Sequence, residues 1–65
     1  MTYYTMVVKE HGKWGAQFGD YELDVVLDEQ NDLCDGETRR KDTKVVSTLT
    51  DSQADIDAVL AQMNG

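Results

Sequence analysis

The chain has 65 residues and a mass of 7.3 kDa, which leaves room for a single small domain over residues 1–65. Thirteen Asp and Glu against six Lys and Arg give a formal net charge of −7, which opposes direct binding to nucleic acid or to an anionic membrane. A lone cysteine, Cys34, excludes an internal disulfide, and there is no apolar run of the ~18 residues needed to cross a bilayer.

Residues 2–10 are β-branched and aromatic and read as a strand, with Tyr4, Met6 and Val8 on one face and Tyr3, Thr5 and Val7 on the other. A first strand that is apolar on both faces belongs in the centre of a sheet. His11-Gly12 is a turn signal, and Lys13 to Phe18 alternates so that Trp14, Ala16 and Phe18 face together. The two runs predict a β-hairpin.

After Gly19, the residue Asp20 is a candidate cap for a helix running from Tyr21 to Cys34. Leu23, Val26, Leu27 and Leu33, with Gln30 between them, line one helical face. Asp35-Gly36 is the stop signal, with Gly36 able to take the left-handed conformation that ends a helix. A polar connection from Glu37 to Asp42 leads to a third strand over Thr43–Thr48. Thr50 and Gln53 have capping-box spacing for a last helix, in which Ile56, Val59, Leu60 and Met63 repeat at i, i+3, i+4 and i+7.

The order β-β-α-β-α predicts an α+β fold: a three-stranded antiparallel sheet of order 2-1-3 with two helices on one face.

Catalytic and metal chemistry find little support. One His and one Cys cannot supply a Cys/His zinc site, and His11 reads as a solvated turn residue. Cys34 reads as a small apolar side chain at the end of the helical face. The acidic stretch Asp28 to Asp32 fails the calcium-loop pattern, because Leu33 or Cys34 falls on a required position in every register. Nucleophilic catalysis by Ser47, Ser52 or Cys34 would need a base beside it, and nothing in the spacing brings His11, the only candidate imidazole, to any of them. The expectation is a non-enzymatic protein with no cofactor and no metal.

Charge is the informative feature. Residues 20–37 hold Asp20, Glu22, Asp24, Asp28, Glu29, Asp32, Asp35 and Glu37, a net of −8. Residues 38–50 hold Arg39, Arg40, Lys41 and Lys44 against Asp42, a net of +3. Asp20, Asp24, Asp28 and Asp32 recur every fourth residue, which aligns them along one side of a helix. Like charges so placed oppose helix formation by a few tenths of a kcal/mol per pair. Tyr21 and Val25 fall beside the same row on a helical wheel. A solvated face explains such a row, and so does a docking face for a protein with a basic surface. Nucleic-acid mimicry is the weaker third reading. The six candidate partner-binding residues are Asp20, Tyr21, Asp24, Val25, Asp28 and Asp32. A homodimer using the sheet edges or the Tyr3/Val7 face is the alternative assembly.

Tyr3-Tyr4-Thr5-Met6-Val7-Val8, Gly12-Lys13-Trp14, Phe18-Gly19-Asp20-Tyr21 and Lys41-Asp42-Thr43-Lys44-Val45-Val46 together resemble the small, uncharacterised accessory proteins of tailed bacteriophages. The resemblance implies expression in a bacterial host cytoplasm and binding to a host protein. It carries over no site residues.

Overall fold

His11 and Gly12 both adopt positive φ, 53° and 81°, the pair of left-handed conformations that a two-residue hairpin turn needs to match strand twist. That turn joins β1 (Tyr3–Glu10) to β2 (Lys13–Asp20) in the computed structural model, which describes residues 2–36 and 38–65. Met1 and Glu37, the latter at the start of the expected polar connection, lie outside the described residues. Next come α1 (Leu23–Cys34), a 3-10 turn (Arg40–Asp42), β3 (Thr43–Thr48) and α2 (Gln53–Asn64). The sheet is antiparallel throughout, in the order β2-β1-β3, so the fold is α+β with the expected strand order.

β1 is buried over four consecutive residues, Thr5, Met6, Val7 and Val8. Successive strand residues point to opposite faces, so both faces of the central strand are covered. The expected single helical layer cannot do this, and the two helices divide the work. α1 lies on the Tyr4–Met6–Val8 face. There its Gln30 Nε2 donates to Thr43 Oγ1 at 2.9 Å, and Cys34 Sγ stands 3.7 Å from the same hydroxyl, in register with Val8. α2 takes the Tyr3–Thr5–Val7 face, where Val7 is completely shielded. That shielding removes the Tyr3/Val7 face from the possible homodimer interfaces. Extents of 30 × 28 × 13 Å suit this layering, since three strands about 4.8 Å apart account for the short dimension.

β2 departs from simple alternation. Met6 pairs with Phe18 but Val7 pairs with Ala16, so Gln17 is an extra residue in the edge strand. This bulge turns Phe18 to the Met6 face, while Trp14 and Ala16 stay on the Val7 face. The expected Trp14–Ala16–Phe18 stripe is therefore split between the two layers. Past the bulge, Gly19 lies under the ring of Tyr3, where a Cβ would collide with it.

Helix ends also differ from expectation. α1 begins at Leu23 with Glu22 as its unassisted cap, because β2 continues through Asp20. At its other end Asp35 N–H bonds Asn31 C=O and Gly36 N–H bonds Leu33 C=O, and Gly36 keeps a φ outside the left-handed region. α2 is capped by Ser52, whose hydroxyl accepts from Ala54 N–H at 3.2 Å. Thr50 does a different job from the expected capping box. Its Oγ1 accepts from Ser52 N–H and donates to Asp55 Oδ2 at 2.8 Å. Ile56 is buried, with Val59, Leu60 and Met63 half-buried, as their spacing predicts. In α1 only Val26 is fully buried. None of the described helices is long and apolar enough to cross a membrane.

Candidate functional site

Three of the four aspartates of the expected row stand on α1. All three are exposed; Asp24 and Asp28 lie on the side of the helix opposite Val26 and Leu33, and Asp32 lies about 100° from Leu33, toward β2. At 1.5 Å per residue they extend over about 12 Å. Asp20 is not among them. It is the last residue of β2, half-buried, and its Oδ1 accepts from Glu22 N–H at 2.8 Å. This local bond turns the chain from strand to helix, so Asp20 serves the fold.

Tyr21 also leaves the row. It precedes the helix, and its ring meets Tyr3 edge-on, with centroids 4.9 Å apart and planes at 71°. Its surroundings are those of the Tyr3 face and the Asp51 segment. Desolvation first, and the adjacent Asp51 carboxylate second, push the Tyr21 hydroxyl above its ordinary value. Val25 does remain on α1, beside Asp28 and Asp32 on the wheel.

The outer row is flanked by aliphatic surface. Val25 on one side and Leu23 and Leu27 on the other are each 38–40% exposed. Among the described residues, the α1 acids Asp24, Asp28, Glu29 and Asp32 make no hydrogen bond through their side chains. Among the described residues, the basic loop next to the helix makes no side-chain hydrogen bond to these carboxylates. Arg40 instead sends its guanidinium to Asn31 Oδ1 at 2.9 Å, an amide of the last turns and not a carboxylate.

Two features escaped sequence reasoning. An open groove of about 330 Å³ runs between α1 and β2, with Met6, Phe18 and Leu33 lining its apolar part and Glu29 and Asp32 contributing carboxylates. The bulge at Gln17 creates it by turning Phe18 under the helix, and one inserted residue leaves no mark in composition. The second is a latch. Asn64, the last residue of α2, accepts from Trp14 N–H at 2.7 Å and donates to Trp14 C=O at 3.0 Å. Its side-chain amide thus acts as one residue of an added strand on the outer edge of β2. Nearby, the Trp14 ring has Lys44 Nζ at 5.2 Å and Lys9 Nζ at 6.0 Å, within cation–π range. A larger depression of about 410 Å³ at the hairpin end carries Glu10, His11 and Lys13, which make no hydrogen bonds to one another.

Among the described residues, no group of three His, Cys, Asp or Glu side chains could hold a metal ion. Comparison with protein-family models, with curated proteins and with solved structures yields no match for this chain.

Proposed function

We propose that the protein is a non-enzymatic binding module that docks the outer face of α1 on a basic surface of another protein. The observation that carries this reading is the unengaged state of Asp24, Asp28 and Asp32, with aliphatic surface on both sides. A row of carboxylates at i, i+4 spacing works against its own helix. A basic partner would reverse that penalty, steer encounter at long range and cover Val25, Leu23 and Leu27. The acidic groove at Glu29 and Asp32 suits the aliphatic stem and cationic head of a Lys or Arg at the border of the same surface. With Asp20 outside the helix the row is short, which favours protein docking over nucleic-acid mimicry. The likeness to phage accessory proteins makes a host protein in the bacterial cytoplasm the proposed partner.

The test is capture from bacterial lysate on the immobilised protein, compared with Asp24→Asn/Asp28→Asn/Asp32→Asn. The wild type should retain a protein with a basic surface, released by raising salt, and the triple variant should not. Equal capture by both at low salt would refute the reading.

A further inference from the structure

The groove between α1 and β2 joins an apolar floor to an acidic rim. Met6 and Phe18, cross-strand partners on the sheet face under α1, form the floor, and Leu33 closes it from the helix. Helix positions turn by about 100° per residue, so Leu33, Glu29 and Asp32 follow one another from the sheet outward. Glu29 and Asp32 are exposed and stand at i, i+3 spacing, which sets both carboxylates on one rim. Gln17, the bulged residue, lines the β2 side and is itself exposed. Among the described residues no Lys or Arg lines the groove, and the side chains of Gln17, Glu29 and Asp32 make no hydrogen bond. The guanidinium of Arg40 is held by Asn31, on the other side of the helix. The groove volume of about 330 Å³ is near the lower limit for ligand sites, which gives room for one side chain and not for a helix.

We propose that this groove takes one arginine side chain of the docking partner, an inference that rests on the docking reading above. A neutral apolar side chain would take water from the two carboxylates and give them no partner in return. An anion would face both negative charges. A calcium ion needs about six to eight oxygens, and among the described residues no group of three acidic side chains could hold a metal. A cation on an apolar stem satisfies floor and rim together: the stem lies along Met6 and Leu33 and the head reaches Glu29 and Asp32. Arginine does this better than lysine. Its planar guanidinium stacks on an aromatic ring such as Phe18, and its five donors serve two separate carboxylates and the Gln17 amide oxygen at once. Lysine brings one compact, strongly hydrated charge, which serves one carboxylate and gains less from the ring. Asp32 belongs to the rim and also ends the outer row of α1, so the groove and the docking face form one continuous surface.

The test titrates N-acetyl-arginine amide, and N-acetyl-lysine amide for comparison, into the isotope-labelled protein at about 150 mM salt, followed by its backbone amide resonances. The arginine amide should shift the resonances of Gln17, Phe18, Glu29, Asp32 and Leu33 with a Kd of about 1 mM, in keeping with so small a contact. The lysine amide should bind about fivefold more weakly or worse. Glu29→Gln and Asp32→Asn should each weaken arginine binding about five- to tenfold, whereas Asp57→Asn, which removes the same charge from α2, should stay within about twofold. Phe18→Leu keeps the floor apolar but removes the ring, and should bring the two amides to within about twofold of each other. The rim positions are exposed, and the amide spectrum of each variant checks that it is folded. Shifts spread over the whole acidic surface, equal binding of the two amides by the wild type, or rim variants that bind like wild type would each overturn the inference. The two readings fail separately. Capture from lysate without arginine binding removes the groove alone, whereas arginine binding without capture refutes the docking reading, and with it the partner as the source of the arginine.

Discussion

Both helices are 12 residues long and acidic, yet they use their carboxylates in opposite ways. In α2, Asp55 accepts from Thr50 at the helix start and Asp57 accepts from Gln53 Nε2 at 2.9 Å. Ser52 caps the first turn and Asn64 fastens the last one to the β2 edge. These bonds hold the helix start and its first turns, and the Asn64 bond ties its end to the sheet. In α1, Glu22 caps without a side-chain bond, only Val26 is fully buried, and Asp24, Asp28 and Asp32 face solvent. The contrast separates acids the fold needs from acids it tolerates, and it is the tolerated ones that call for a functional explanation.

The largest expected effect probes the layers themselves. Ile56→Ala under α2 should cost about 2–4 kcal/mol in urea unfolding, a large part of what a domain this small possesses. Val26→Ala should cost somewhat less, about 1–3 kcal/mol, because fewer atoms are removed. A negligible loss at Ile56 would break the two-layer account. Next in size is the capping comparison. Ser52→Ala should lower stability by about 1 kcal/mol.

A similar magnitude, opposite in sign, is expected at Thr5. Its hydroxyl is buried beneath the α2 layer, and Oγ1 has no partner among the described residues. Thr5→Val should therefore stabilise by about 1 kcal/mol. A loss on that substitution would show that the hydroxyl is satisfied.

The smallest effect concerns Tyr21. Its hydroxyl titrates above the ordinary 10.0, so in the folded protein it keeps its proton where the unfolded chain has lost it. Stability should thus fall as pH rises beyond about 10, and Tyr21→Phe should flatten that slope. An unchanged slope would mean that Asp51 and Tyr3 do not influence the ring.

The sheet was legible because its signals are local and redundant. Thr5 to Val8 is apolar on both faces, His11-Gly12 marks the hairpin, and the period of α2 is regular from Ile56 to Met63. The same apolar run already required a cover on each face of β1, which the expectation of one helical layer overlooked. Other features were decided by single bonds. Asp20 has the spacing of the α1 row, but its carboxylate is drawn to Glu22 N–H, and spacing cannot tell a strand end from a first helical turn. Thr50 and Ser52 both satisfy cap chemistry, and the position of the chain leaving β3 chooses Ser52. The Asn64 latch joins residues 50 positions apart and has no local signature.

The claim that the α1 carboxylates are surplus to folding is tested most directly by urea unfolding of Asp24→Asn/Asp28→Asn/Asp32→Asn. The account predicts a midpoint equal to wild type or higher by a few tenths of a kcal/mol for each relieved pair, with an unchanged slope. A midpoint lowered by the equivalent of about 1 kcal/mol or more would show that these acids hold the fold together, and would contradict it.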